Sequence, residues 1–314
     1  MAYLRLIRYK NLLIIALLQF MLRYALLIPI LEHYGLQPVL SDFRFILLVV
    51  STVLLAASGY IINDYFDIRI DRINRPEKVL VGKVIKRRVA LFLHVVLSIT
   101  GILIGFFLAY VARKEVYALI YLAVPITLWY YSTTFKRHVL IGNLIISMLT
   151  ALVALLVVSI EFAMLSRVHG VQVLQTQACS TAWFWAMGFA LFAFITNLTR
   201  EIIKDAEDLK GDKAVGCRTL PIALGMPLTK AFVFLMELAS LFILWIIYFL
   251  IPEIREIPYV KVYFIVGFTL PHLILLFLWY RAKTSKDYHW VSRISKLVML
   301  LGIMFLLLAG QYFA

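Results

Sequence analysis

Nine long apolar runs constrain the fold of this chain more than any other feature of its sequence. They lie at 11–31, 45–62, 89–110, 116–131, 139–160, 182–199, 228–251, 259–280 and 294–313. A run of about twenty apolar residues is the length that an α-helix needs to cross the hydrocarbon core of a bilayer. The runs lack the apolar–polar alternation that is typical of strands in a membrane barrel. The first run is longer than the apolar part of a signal peptide and precedes no small-residue cleavage site, so we count it as a span. We therefore predict an all-α membrane protein with nine transmembrane helices in a single domain, residues 1–314.

The basic residues are divided unevenly between the segments that connect the apolar runs. Segments 1–10, 63–88, 132–138, 200–230 and 281–296 together contain 24 of the 31 Lys and Arg, whereas the alternate segments contain six. Basic residues favour the cytoplasmic side of a membrane, so we predict a multi-pass protein of the cell membrane with a cytoplasmic N-terminus. Membrane orientation and attraction to anionic headgroups or substrates then explain the net charge of +14, and no nucleic-acid partner is required.

Two of the basic segments also contain aspartates at matching intervals. Each trio has the spacing D-x-x-D-x-x-x-D, and the members are Asp64, Asp67 and Asp71 after the second run and Asp205, Asp208 and Asp212 after the sixth. Residues three, four and seven positions apart lie on one face of a helix, so each trio should form a stripe of carboxylates. Two facing stripes would bind hard divalent cations, which take oxygen ligands and bridge carboxylates to phosphates, and Mg²⁺ is the usual ion beside a diphosphate.

The segments around these aspartates resemble a known family. NDYFDIRIDRINRP at 63–76 and REIIKDAEDLKGD at 200–212 are similar to the two aspartate-rich motifs of the UbiA superfamily of intramembrane prenyltransferases. YSTTFKR at 131–137, followed by Gly142 and Asn143, resembles the loop after the fourth span of that superfamily. IDRINRPEK and REIIKDAED are most similar to the geranylgeranylglyceryl-phosphate geranylgeranyltransferases, which make ether lipids. That group continues with a Pro-Ile-Pro-Ser-Gly stretch where this chain has 79–82, VLVG, and the departure bears on the acceptor.

The resemblance implies a reaction and a set of site residues. The nine helices would surround a central cavity, and Mg²⁺ would assist the transfer of a geranylgeranyl group from its diphosphate to a membrane-associated prenylglyceryl phosphate, forming an ether lipid. The implied metal ligands are Asn63, Asp64, Asp67, Asp71, Asp205, Asp208 and Asp212. Lys136 and Arg137 would bind the departing phosphate oxygens, and the ring of Tyr131 would stabilise the developing allylic cation.

Further residues are expected to bind substrate. Arg8 and Asn11 border the first span, where the family often has a polar pair that faces the cavity. The cations beside the aspartates, Arg72 and Lys204 among them, suit an acceptor with an anionic head. The expected partners are the prenyl diphosphate, the lipid-like acceptor and membrane lipids, and no protein partner is evident.

Other interpretations remain open at this point. The aspartates could pair with neighbouring basic residues as solvated helix ends, Tyr131 could belong to an interfacial aromatic belt, and Lys136 and Arg137 could be positive-inside anchors. An enzyme of this kind could instead prenylate an aromatic acceptor, such as a quinone precursor or a chlorophyll-type ring. A cation transporter would also place acids in a membrane, but near its midplane rather than at helix ends. Arg23 and Glu237 lie within apolar runs, and we expect them to form a structural pair.

Overall fold

Nine long helices make up the bundle in the computed structural model, which describes residues 1–313. Their bounds are Tyr9–His33, Asp42–Phe66, Arg87–Ala112, Glu115–Arg137, Ile141–His169, Gln177–Glu207, Gly225–Leu250, Val260–Arg281 and Ser285–Gln311. Each is long and apolar enough to cross a membrane. Between residues 1 and 313, β-pairing is limited to an isolated bridge between Val81 and Ile85. The prediction of an all-α membrane protein with nine spans is therefore confirmed.

Several spans are longer than the apolar runs that predicted them. The second span continues to Phe66 and the sixth to Glu207, so the first aspartate of each trio lies in the last turn of its span. Both helices then break at the middle aspartate, and short helices follow at Ile68–Asn74 and Leu209–Ala214. Each trio therefore spans a junction between two helices, which Asp67 and Asp208 occupy, and does not lie along one uninterrupted helix.

The first and eighth spans change their helical winding ahead of a proline. In the first span a π-helical segment, Met21–Leu27, precedes Pro29, and in the eighth the segment Phe264–Thr269 precedes Pro271. Proline has no N–H, and its ring clashes with the carbonyl four residues earlier, so the ordinary α-helical hydrogen bond cannot form there. In the first span that carbonyl belongs to Ala25, and it approaches the ninth span so closely that a Cβ at Gly310 would lie 1.6 Å from its oxygen.

A buried ion pair joins three elements at the end of the bundle opposite the aspartates. Arg23 Nη1 donates to Glu161 Oε2 at 2.9 Å, and Arg23 also donates to the carbonyl of Leu40. Glu161 Oε1 accepts from the backbone N–H groups of Val39 and Leu40 at 2.6 and 3.0 Å. The expected pair of Arg23 with Glu237 is therefore wrong. Glu237 lies instead 3.5 Å from Nε2 of the buried His272, within a separate polar cluster.

A central cavity of about 260 Å³ lies within the bundle, as predicted. Its walls come from the first, second, fourth, fifth, sixth and ninth spans. Most of the lining is apolar, and its charged residues are Arg8, Arg200, Glu201, Lys204 and Lys296. The spans that bear the aspartate trios thus form walls of the same cavity.

Candidate active site

The two aspartate-bearing segments meet through their short helices. The side chain of Asn74, at the end of the first short helix, donates to the backbone carbonyl of Asp208 at 3.0 Å. Its Oδ1 accepts from the backbone N–H of Gly211 at 2.8 Å. A Cβ at Gly211 would lie 2.4 Å from the Asn74 amide, so only glycine allows this approach. One asparagine thereby brings the second trio against the first.

Basic side chains neutralise three of the six carboxylates. Arg8 Nη2 donates to Asp64 Oδ1 at 2.7 Å, and Arg75 Nη2 donates to Asp208 Oδ1 at 2.7 Å. Lys136 forms an ion pair with Asp67 and lies 3.4 Å from Asn63 Oδ1. Across residues 1–313, no three carboxylate, imidazole or thiol groups converge as a preformed metal site.

Asp71 and Asp212 are two carboxylates of the trios that have no cationic partner within ion-pair distance among residues 1–313. Burial and the neighbouring carboxylates of Asp67 and Asp64 raise the pKa of Asp71 to about 7. Burial and the carboxylates of Asp208 and Asp67 raise the pKa of Asp212 to about 7. Each shift means that the ionised form is costly where it stands, and a nearby cation would remove that cost. Asp208 of the second trio contributes to the raised pKa of Asp71, and Asp67 of the first contributes to that of Asp212, so the two trios interact electrostatically.

The donor set fits Mg²⁺. It consists of carboxylate and amide oxygens, which hard divalent cations prefer. The ammonium group of Lys136 already lies between two of the proposed ligands, Asn63 and Asp67, so a cation is tolerated between them. Asp205, in the last turn of the sixth span, accepts from Asn143 Nδ2 at 2.9 Å. That contact orients a proposed ligand from outside the two motifs.

A polar wall lines the cavity next to the aspartates. Glu201 accepts from Lys204 Nζ at 2.7 Å and from Arg200 Nη1 at 2.8 Å. Lys296, in the ninth span, donates to Asn11 Oδ1 at 3.1 Å. Asn11 Nδ2 in turn donates to the hydroxyl of Tyr60 at 3.4 Å, and the guanidinium of Arg8 lies 5.0 Å from the centre of the Tyr60 ring. Arg8, Asn11, Tyr131 and Lys204, four residues of the predicted site, all line the cavity.

Two predicted site residues lie elsewhere, and several others were not predicted. Arg72 and Arg137 are exposed and do not line the cavity, so no contact supports a role for them in the site. Arg75, three residues after Arg72, is the arginine that pairs with the second trio. Glu201 and Lys296 were not predicted, because a single charged residue in or beside a span resembles an interfacial anchor in sequence. Asn143 could have been found, since it belongs to the segment that resembles the family.

Together, the bundle and this site define a class of helical membrane proteins in which a largely apolar cavity has charged side chains and paired acidic segments beside it. Within that class, the chain matches the UbiA prenyltransferase family over residues 13–309. The match covers nearly the whole chain, and this protein belongs to that family.

Similar proteins of known sequence carry one name. The digeranylgeranylglyceryl phosphate synthase of Methanothermobacter thermautotrophicus is 37% identical over 186 residues, which cover 59% of this chain and 58% of that protein. The digeranylgeranylglyceryl phosphate synthase of Korarchaeum cryptofilum is 30% identical over 270 residues, which cover 85% of this chain and 86% of that protein. The chain therefore spans less than two thirds of the first relative and most of the second.

Solved structures share the fold. A digeranylgeranylglyceryl phosphate synthase structure superposes with a TM-score of 0.58 at 22% identity and covers 98% of both chains. A UbiA homolog from Archaeoglobus fulgidus bound to GPP and Mg²⁺ superposes with a TM-score of 0.55 at 20% identity, covering 98% of this chain and 99% of the other. At these identities the likeness establishes the fold alone.

Proposed function

We propose that this protein transfers a geranylgeranyl group from its diphosphate to the free hydroxyl of a prenylglyceryl phosphate, forming an ether lipid. In this reaction the bond between the allylic carbon and the diphosphate oxygen breaks, and the acceptor oxygen bonds to that carbon. The acceptor hydroxyl loses its proton, and diphosphate leaves. The observation that carries the proposal is the meeting of the two aspartate-bearing segments beside an apolar cavity, whose lining includes Arg8, the ion-pair partner of Asp64, and Lys204, which precedes Asp205.

The aspartate end suits the diphosphate, and the apolar lining suits the prenyl chain. When bound, Mg²⁺ would neutralise the diphosphate and assist its departure, held by Asn63 and the carboxylates of the two trios. Lys136 stands among these ligands and would contact the phosphate oxygens. Tyr131 lines the cavity, where its ring would face the allylic carbon as positive charge develops.

An aspartate of the site would accept the proton of the acceptor hydroxyl. Asp71 and Asp212 are the candidates, because neither has a cationic partner within ion-pair distance among residues 1–313, and the base would be whichever of them does not bind metal. Burial and the neighbouring carboxylates raise the pKa of each above its ordinary value, which makes an unbound carboxylate a stronger base. The apolar lining would keep water away from the developing cation.

Two observations support a glyceryl phosphate as the acceptor. The relatives that match over most of their length are named for digeranylgeranylglyceryl phosphate. The cavity wall also contains cations beyond those that pair with the aspartates, as an anionic acceptor requires. The excess of basic residues in the segments at the aspartate end favours a cytoplasmic site in the cell membrane.

A competition between two classes of acceptor tests the proposal. Purified protein with Mg²⁺ and labelled geranylgeranyl diphosphate would receive geranylgeranylglyceryl phosphate and an aromatic quinone precursor at equal concentration. We expect an acid-stable ether lipid as the labelled product. A ring prenylated at carbon, with no ether lipid, would replace the proposal with aromatic prenylation. Metal-ion flux without any prenylated product would indicate a transporter.

A further inference from the structure

We propose that Arg200, Lys204 and Lys296 form a binding site for the phosphate of the acceptor lipid, separate from the aspartates that bind the diphosphate. The inference rests on the proposed function, since it assigns a head-group site to the second substrate. The first two residues belong to the sixth span and the third to the ninth, and all three line the central cavity.

The three cations lack the carboxylate partners that would neutralise them. Arg200 and Lys204 share one carboxylate, that of Glu201. Within residues 1–313, the side-chain hydrogen-bond partner of Lys296 is the uncharged amide of Asn11. Arg200 is 8% exposed, yet its Nε has no hydrogen-bond partner in the described part of the chain. A buried cation with an unused donor is costly unless a ligand accepts from it.

The excess charge on this wall equals that of a phosphate monoester. Its four cations are Arg8, Arg200, Lys204 and Lys296. The carboxylates that pair with them among the described residues are two, Asp64 and Glu201. Two positive charges therefore remain, and a phosphate monoester carries about 1.5 to 2 negative charges at pH 7.

The donor diphosphate has a different place to bind. Its site at the two trios is rich in carboxylates and attracts the metal ions that bridge to a diphosphate. Lys136 supplies the positive charge of that site from the fourth span, and it has its own carboxylate in Asp67. The cations on the sixth and ninth spans are left for the other anionic head, which belongs to the acceptor.

One acidic side chain, Glu201, and one uncharged side chain, Asn11, position these cations. Glu201 accepts from Arg200 and from Lys204, so it holds both side chains against the cavity. Asn11 holds Lys296 from the first span, and its amide is oriented by the hydroxyl of Tyr60. The phosphate would then be bound between the first, sixth and ninth spans, and the glyceryl hydroxyl would extend from there towards the aspartates.

The test compares two acceptors that differ only in the phosphate. Geranylgeranylglyceryl phosphate and geranylgeranylglycerol are each assayed with saturating geranylgeranyl diphosphate and Mg²⁺, and the ratio of their kcat/KM values gives the phosphate preference. Lys296→Gln and Lys204→Gln should each lower this preference roughly 10- to 100-fold, the loss expected for one charge-assisted hydrogen bond. The KM for geranylgeranyl diphosphate should stay unchanged in both variants. Lys296→Arg, which keeps the positive charge, should retain more of the phosphate preference than Lys296→Gln does.

Two controls make the result independent of folding. Lys286→Gln changes an exposed lysine on the same ninth span outside the cavity and should behave as wild type. In the unaltered protein, glyceryl phosphate without a prenyl chain should compete with the acceptor but not with the donor.

Each alternative outcome overturns a defined statement. If the wild type uses both acceptors equally, or if both glutamine variants keep the phosphate preference, the subsite is wrong while ether-lipid synthesis stands. If the variants raise the KM for the donor instead, these cations serve the diphosphate and the subsite is again wrong. If the wild type forms no ether lipid from either acceptor, the proposed function fails, and the subsite fails with it.

Discussion

Asp67 and Asp208 hold equivalent positions, and their surroundings explain how the site can exist without collapsing on itself. Each follows the last residue of a long span, and each is paired with a basic side chain from another part of the chain, Lys136 or Arg75. A carboxylate that is paired in this way does not hold an apolar core together. Its chemistry and its contribution to folding can therefore be separated experimentally.

Replacing either carboxylate by an amide should abolish activity without unfolding the protein. Asp67→Asn and Asp208→Asn keep the size of the side chain but remove a charged metal ligand, so we expect prenyl transfer to fall more than about 100-fold, beyond what changes around metal ligands usually cost. The initial rate of labelled prenyl transfer measures this, and thermal unfolding should change little. Chelation should abolish wild-type turnover and Mg²⁺ should restore it.

A matched control for these variants is Glu77→Gln, which changes an exposed acid in the same connecting segment. It should retain wild-type activity. Near-normal rates in Asp67→Asn and Asp208→Asn would mean that other acids of the trios bind the metal. Turnover that resists chelation would contradict metal assistance altogether.

The spacing of the aspartates predicted more about which residues belong to the candidate site than the positions of the basic residues did. The repeated D-x-x-D-x-x-x-D pattern identified two segments that the fold brings into contact with each other. Basic residues carry no such pattern, so Arg72 was expected where Arg75 lies, and Lys296 was missed. The side that a lone lysine faces depends on the packing of its span against distant spans, which local sequence does not contain.

The elements meet differently from what their local sequences suggest. Both trios continue beyond their spans as short helices, although neither break contains Gly or Pro. The physical reason lies in tertiary contact: the bend lets Asn74 bond to the backbone of the other short helix at two points. Helix periodicity predicted that the acids of a trio are neighbours, but the angle between the two segments required the partner.

Gly211→Ala and Asn74→Ala should have the same effect. The added Cβ would lie 2.4 Å from the Asn74 amide and displace it, so either change removes the two hydrogen bonds between the short helices. We expect each change to lower the free energy of unfolding by about 1–3 kcal/mol. Each should also weaken Mg²⁺ binding, measured as a higher Mg²⁺ concentration for the half-maximal rate. The double variant should be no worse than either single one, because residues in contact are not additive. Additive losses would contradict this account.

The close contact between the first and ninth spans gives a second test at this scale. Gly310→Ala would place a Cβ 1.6 Å from the Ala25 carbonyl oxygen, a backbone atom that cannot move away alone. We expect the free energy of unfolding to fall by about 1–3 kcal/mol, as is typical of overpacked sites. The measurement is the unfolding temperature in detergent, which should be lower. Gly188→Ala is the control, since no atom lies within 4 Å of its added Cβ, and it should be neutral or slightly stabilising. Equal behaviour of the two variants would refute the contact.

At the scale of the whole molecule, the two ends of the bundle serve different purposes. One end contains the aspartates, and the other contains the buried pair of Arg23 and Glu161, which joins the first and fifth spans to the segment before the second. The apolar runs predicted how many spans exist, but not where each begins: the ninth span begins at Ser285 although its run begins at 294. They did not predict which spans are neighbours, so Arg23 was assigned to Glu237 of the seventh span instead of Glu161 of the fifth. A buried charge requires a partner, but the sequence does not say which one.

The distribution of charge predicts the orientation of the molecule in its membrane, and the prediction can be tested directly. The segments at the aspartate end contain 24 of the 31 basic residues, and translocating them would be unfavourable, so the aspartates should face the cytoplasm. Lys83→Cys and Lys114→Cys introduce exposed thiols at opposite ends of the bundle, while the native Cys179 and Cys217 are buried. A membrane-impermeant maleimide should label Lys114→Cys in intact cells and Lys83→Cys only in inside-out vesicles. Both should react in detergent. The reverse labelling would place the aspartates outside the cell and contradict a cytoplasmic site, because the diphosphate and Mg²⁺ would then have to be supplied from the other side.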